Sequence, residues 1–412
     1  MNENVFTGAL AAILLLLSAG SCSNEVPAFN HVIDDITTCP CEDNAEILRV
    51  GPNKTFKTIK EAAEAAGDNM IIEIDAGTYK GDVAFWNQNN LVIRAVGGDV
   101  ILDANGQHFG GKGIWEINGG NVCVEGITFI NAKVPDQNGA GIRLTEGNLT
   151  VIACKFLHNE MGILTGNTNT ISLTVRNSEF GYGGYGDGFS HNIYVGRVGS
   201  LHISGSYFHH ARRGHLIKTR AALSYIYCNL IADGTDAIAT ASYEIDVPDG
   251  GQAIIVGNVI QKSATPDNPH VISFAKESAS IHPVNKLFVA HNTIINHHNG
   301  DNYVLGAPAS GVEIYFLNNA IQASAKFNAY IPMNVEKGNV LYNPDELGSN
   351  NYPVASSVAA WKSALEANID SYLPQDLKSK AISLVPSHQY VSPTNIKQLN
   401  GQPNIPGAVQ VP

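Results

Sequence analysis

The chain has 412 residues, of which 15% are charged, 44% hydrophobic and 8% aromatic, a composition that fits a folded protein and not a disordered or multi-span membrane one. A formal net charge of −12 argues against broad electrostatic binding to nucleic acid. Forty glycines against eighteen prolines point to many turns and exclude a collagen-like repeat.

The first element is an apolar run over 8–20 (GALAAILLLLSAG), too short to span a bilayer and fit for the core of a secretory signal. Ala19-Gly20-Ser21-Cys22 resembles a bacterial lipobox, in which Cys22 becomes the lipidated first mature residue. Cleavage near Ser21 with free release is the alternative. Either way the expected location is outside the cytoplasm: secreted, periplasmic or lipid-anchored at the outer membrane or cell surface. Residues 1–22 are read as the signal and 23–47 as a linker. The six cysteines do not suggest a disulfide framework. Cys39-Pro-Cys41 is too tight for an easy bridge, and Cys123, Cys154 and Cys228 sit singly in strand-like segments as small hydrophobes.

Next comes Phe56–Gly67, a short helix stopped by glycine, followed by the strand Met70–Asp75. From Val122 onward a pattern recurs, apolar-x-apolar-x-x-x-x-apolar. It starts at Val122, Leu149, Leu173, Leu201, Ser224, Ala253, Leu287 and Ile314. Steps of roughly 23 to 34 residues indicate a solenoid built of strands. The sixth position holds Asn229, Asn258, Asn292 and Asn319, with Cys154, Ser178 and Ser206 before them, which predicts an amide ladder along the axis. A second strand per unit is marked by Ile142, Ile163, Ile193, Ile217, Ile245 and Ile272, an inward-facing stack of parallel strands. Near the C-terminus, 357–369 reads as a second capping helix with Trp361 and Leu365 on one side. A proline-punctuated tail follows it. The expected organisation is a β-helix over 48–345 and a C-terminal cap and tail over 346–412.

Phe56-Lys-Thr-Ile-Lys-Glu-Ala-Ala, Ile72-Glu-Ile-Asp-Ala-Gly-Thr-Tyr79 and the Asn-containing rungs resemble the pectin-lyase-like right-handed parallel β-helix superfamily, most of all its polysaccharide lyases. The resemblance covers roughly residues 48 to 330. It implies an all-β right-handed parallel β-helix with an N-terminal capping helix. Activity is not implied, because the superfamily holds lyases, hydrolases, methylesterases and non-catalytic adhesins.

The chemistry is sought on the outward face of the second strand column. If each marker isoleucine points in, the residue after it points out, giving Arg143, Leu164, Tyr194, Lys218, Asp246 and Ser273. Arg220 lies on the same face as Lys218, and two residues before each marker stand His191, His215, Tyr243 and His270. The segment Arg212-Arg213-Gly-His215-Leu-Ile-Lys218-Thr-Arg220 is a basic run in an acidic protein, suited to an anionic polysaccharide. Elimination from a uronate needs a cation on the carboxylate and a base for the C5 proton. The candidate catalytic residues are Lys218, Arg220, His215, Tyr194 and His191. Lys218 is read as base or electrostatic partner, with Tyr194 and His215 competing for proton transfer. Asn192, Arg212, Arg213, Glu244 and Tyr243 are candidate substrate contacts. The chondroitinase-B and alginate-lyase group pairs a Lys and an Arg with calcium, though not on one strand as here. Ca2+ therefore stays open, with Asp246, Glu244 and Asp249 as its candidate oxygen ligands, although Asp249-Gly250-Gly251 reads first as a tight turn.

The expected function is therefore a polysaccharide lyase acting as a monomer, with no nucleic-acid partner and no membrane contact beyond a lipid at Cys22. A glycoside hydrolase needs two flanking carboxylates, for which only Asp187, Asp236 and Asp246 could converge. A non-catalytic glycan-binding surface protein is the other alternative, with Tyr182, Tyr185 and Phe189 as a sugar platform.

Overall fold

The computed structural model describes residues 38–40, 44–327, 331, 333–346 and 355–410. The signal segment, Cys22 and Cys41 lie outside the described residues. The repeat winds into a parallel β-solenoid in which each rung contributes up to three strands. One rung, for example, runs through Ser200–Ser204, Tyr207–His209 and His215–Thr219. The third strands stack into their own nine-stranded parallel sheet, from Ala84–Trp86 to Tyr303–Gly306.

The register follows from which side chains can stack indefinitely in a column. Ile142, Ile163, Ile193, Ile217, Ile245 and Ile272 pair in sequence across the third-strand sheet, and all are buried. Phe129, Phe156, Phe180 and Phe208 form a parallel column from the second strands, with centroid spacings of 5.0, 4.6 and 4.7 Å. At the turn between first and second strands, the amide ladder forms as expected. Asn229 N–H donates to Asn258 Oδ1, Asn258 to Asn292 and Asn292 to Asn319, each at 2.9 Å. Ser178 and Ser206 extend it upstream, and Asn339 adds a rung that the sequence pattern had not marked. Each amide satisfies a turn whose backbone groups no strand can reach.

The near end is closed by helix α1 (Ile59–Ala65), whose Ile59, Ala62 and Ala63 enter the core. Its start is set by a capping box. Thr58 Oγ1 accepts from Glu61 N–H and Glu61 Oε2 accepts from Thr58 N–H, both at 3.1 Å.

Two expectations are corrected. Helix α2 (Ala355–Ala364) does not cap the far end; Trp361 packs laterally against Tyr342, Ala320 and Ile405. The tail after it then runs back along the outside, laying Ile369, Leu373, Leu377, Ile382 and Leu384 on Tyr225, Tyr227, Ile254, Val256, Phe288 and Leu317. The cause is visible in the first-strand columns. Thr150, Thr174 and His202 give way to Tyr225, Ile254 and Phe288 in the same register, an apolar wall that needs cover. The second correction concerns Cys123, which is not a free thiol but is bonded to Cys39, with Cα atoms 5.8 Å apart. Cys154 and Cys228 are buried and free, and burial pushes the Cys154 thiol up to about 12. No helix among the described residues is long and apolar enough to cross a membrane.

Candidate active site

The third-strand sheet puts Leu164, Tyr194, Lys218, Asp246 and Ser273 side by side on successive rungs, in the register expected from the isoleucines. Arg220 completes the group. Its guanidinium meets three partners, donating from Nε to Tyr194 Oη at 3.0 Å, from Nη1 to Asp249 at 2.5 Å and from Nη2 to Glu277 at 2.6 Å. Lys218 Nζ lies 3.3 Å from Asp246 and 3.4 Å from Glu277. Both cations also sit over the Tyr194 ring, Lys218 at 5.7 Å and Arg220 at 5.9 Å from its centroid.

Burial sets the charges. Asp246 is pushed above its ordinary value by burial, which Lys218 opposes. Glu277 is half exposed; burial works against its ionisation, but Arg220 and Lys218 outweigh that and hold it below the ordinary range. Arg220 loses some hydration, yet Glu277, Tyr194 and Asp249 raise it further. It is a permanent cation.

The histidines play a different part from the one expected. His191 and His215 stack at 4.5 Å and are both driven well below the usual histidine value, chiefly by burial. His191 Nδ1 accepts from the His215 N–H at 3.0 Å, and His215 Nδ1 accepts from the Tyr243 N–H at 3.3 Å. A neutral ring whose Nδ1 accepts must carry its proton on Nε2. For His215 that proton faces Asp246 Oδ2 at 3.4 Å, so the ring orients the carboxylate beside Lys218. His191 stands one rung before His215 in the same column and meets Tyr194 edge-on, with ring centroids 5.4 Å apart.

Asn192 and Glu244 do not face outward. The residue before each marker isoleucine sits at an inner corner, in a column with Leu216 and Val271 of the core. Asn192 spends its amide on the Phe180 and His209 carbonyls and on Gly183 N–H. Glu244 is fully buried beside Lys262 at 3.3 Å, and burial, opposed by Lys262, pushes its carboxyl up to about 8. Neither can touch a substrate. The donor set also fails to fit calcium, since Glu244 faces Lys262 while Asp246 serves Lys218 and His215. Among the described residues no group of three or more His, Cys, Asp or Glu is arranged to hold a metal ion.

Arg212 and Arg213 occupy the exposed turn before the strand, and Arg213 pairs with Asp267 at 3.1 Å instead of joining Lys218. Beside it lies a cavity of about 480 Å³ lined by Gly188, Thr240, Ser242 and Asp267. Tyr243 is half-buried, with Lys276 over its ring. Tyr182 is sandwiched between His158 and His210, leaving Tyr185 and Phe189 as the free aromatics of that loop. The three carboxylates considered for a hydrolase do not converge: Asp187 accepts from Phe189 N–H and Asp236 pairs with His210, away from Asp246.

Sequence reasoning missed Glu277 altogether, and for Asp249 it missed the pairing with Arg220. Asp249 looked like a turn residue, but it is buried between Arg220 and Arg197, the latter at 2.7 Å. Glu277 stands on a loop outside the repeat and reaches Lys218 across 59 residues of chain.

No family model matches the sequence, and no curated protein matches it. Among solved structures, pectate lyase Pel9A superposes with a TM-score of 0.50 at 17% identity, covering 89% of this chain and 96% of that one. The chain shares the parallel β-helix fold of that pectate lyase. More distant similarities include a pectin methylesterase bound to a hexasaccharide (TM-score 0.33, 13% identity, 79% and 98% covered). A PL6 alginate lyase bound to a trisaccharide is another (TM-score 0.32, 10% identity, 78% and 90% covered).

Proposed function

We propose that the protein is a polysaccharide lyase that cleaves an anionic, uronate-containing chain by β-elimination. The observation that carries this reading is the meeting of Lys218, Arg220 and Tyr194 on one outward face, with the phenol oxygen held 3.0 Å from the guanidinium. Arg220 and Lys218 are suited to stabilise the carboxylate as negative charge grows on it during loss of the C5 proton. Lys218 Nζ is engaged by two carboxylates, Asp246 and Glu277, which places it as an electrostatic partner of the substrate charge. Tyr194 is then the proton-transfer group, half-buried, with its oxygen oriented by Arg220. His215 and Asp246 keep Lys218 in position. Fold likeness to a pectate lyase is consistent with this chemistry without choosing the polymer.

Export belongs to the same reading. A disulfide between Cys39 and Cys123 supports maturation in an oxidising compartment.

The test is ultraviolet absorbance of the conjugated unsaturated uronate as purified protein acts on pectate, alginate and glycosaminoglycans. A rise that is lost in Tyr194→Phe and Arg220→Ala supports the lyase. New reducing ends without that absorbance would assign a hydrolase, and binding without cleavage a glycan-binding protein.

A further inference from the structure

We propose that Glu277 is a built-in competitor for the substrate carboxylate, closing the Lys218–Arg220 pair until a free uronate takes its place. This rests on the lyase reading and adds the basis on which the site selects its ligand.

The argument starts from charge. Lys218, Arg220 and Arg197 bring three cations into one network, and only two buried carboxylates, Asp246 and Asp249, are paired with them. His215 is neutral, and Lys276 is turned to the Tyr243 hydroxyl at 3.3 Å. One positive charge is therefore left over, and Glu277 neutralises it. Its two oxygens divide between the cations, Oε1 at 3.4 Å from Lys218 and Oε2 at 2.6 Å from Arg220.

Asp246 and Asp249 are structural; Glu277 is not. The side chains of Asp246 and Asp249 are 4% and 1% exposed, whereas that of Glu277 is 51% exposed. The backbone holds the loop while leaving the carboxylate free to swing, because Glu277 and Ser278 both donate N–H to the Pro248 carbonyl at 3.0 Å. A carboxylate bridging an ammonium and a guanidinium from the solvent side has the charge and planar shape of a uronate carboxylate.

Exchange then discriminates. A free-acid uronate replaces one charge-assisted pair with another. A neutral or methyl-esterified sugar would have to expel Glu277 and leave two partly desolvated cations without their anion. The substrate class that follows is the free-acid polyuronate.

Isothermal calorimetry on the full protein and on Glu277→Gln tests this, with galacturonate, mannuronate, guluronate and glucuronate trisaccharides and their methyl esters. The expected result is binding of at least one free acid, about tenfold tighter in Glu277→Gln, with no matching gain for its ester. Equal or weaker binding by Glu277→Gln, with binding by the unaltered protein intact, overturns this inference and leaves the lyase reading standing. A gain of the same size for acid and ester also overturns it. Absence of binding to every trisaccharide by both proteins overturns the uronate reading and this inference together.

Discussion

Arg220 Nε and the Tyr194 hydroxyl meet at 3.0 Å across neighbouring rungs, although the two residues are 26 apart in sequence. All three faces of the guanidinium are in use, so the position demands a planar fork and not simply a positive charge. Arg220→Lys is therefore expected to lose activity nearly as fully as Arg220→Ala. Tyr194→Phe keeps the ring under both cations and removes only the hydroxyl. Its kcat should fall by about a hundredfold to ten-thousandfold, while its thermal midpoint stays within a few degrees. Initial rates and differential scanning calorimetry on the same preparations check both statements.

The amide ladder should be costly to interrupt. Asn292 Oδ1 accepts from both the backbone and the side chain of Asn258, and its Nδ2 donates to the Ile255 and Ala290 carbonyls. Asn292→Ala leaves the buried Asn258 N–H without its acceptor, a loss of about 1–3 kcal/mol. Asn292→Ser should be milder, since serine already fills this column at Ser178 and Ser206. Urea unfolding midpoints of the two variants distinguish them.

Acid should destabilise the fold. Burial lowers His202 and His291 to about 3 from an ordinary value of 6.5. Below 6.5 the unfolded chain binds protons that these native rings refuse. Their contribution is thus complete above that pH and is lost as pH falls, at about 1.4 kcal/mol per pH unit for each ring. Glu244, raised from 4.5 to about 8, works in the opposite sense: its contribution is full below 4.5 and is lost as pH rises from there to about 8. His291→Gln should flatten the fall in thermal midpoint between pH 6.5 and 4.5, measured by calorimetry against the unaltered protein.

Reduction should loosen the near end. The Cys39–Cys123 bond joins residues 84 apart, which in the chain-entropy view is worth about 4.6 kcal/mol. Cys123→Ser, or reductant strong enough to open the bond, should lower the unfolding midpoint by several degrees. Cys154→Ala is the control, because that thiol bonds to no other cysteine.

What could be read from the chain was what the solenoid repeats. Parallel in-register pairing converts a period in sequence into a column in space, so Ile193, Ile217 and Ile245 placed Tyr194, Lys218 and Asp246 correctly. The inference failed where strict alternation fails. Asn192 and Glu244 sit at the corner between second and third strands, where two consecutive residues both turn inward. It failed again for Glu277, since nothing in a variable loop records which rung its side chain will reach. The Cys39–Cys123 pair was hidden for a similar reason: Cys39 lies ahead of the repeat and carries no register.

A solenoid whose rungs touch only their neighbours can fray one turn at a time. Here the C-terminal chain crosses several rungs at once, running its leucines and isoleucines over the wall formed by Tyr225, Ile254, Phe288 and Leu317. The Tyr227 hydroxyl accepts from the Ser387 and His388 N–H groups at 2.9 and 3.0 Å, tying together positions about 160 residues apart. This later segment thus clasps turns that precede it by well over a hundred residues, including the one that carries Asp246. Those turns and the segment over 369–388 should melt as one unit, and the site should reach its final rigidity only once that segment has docked.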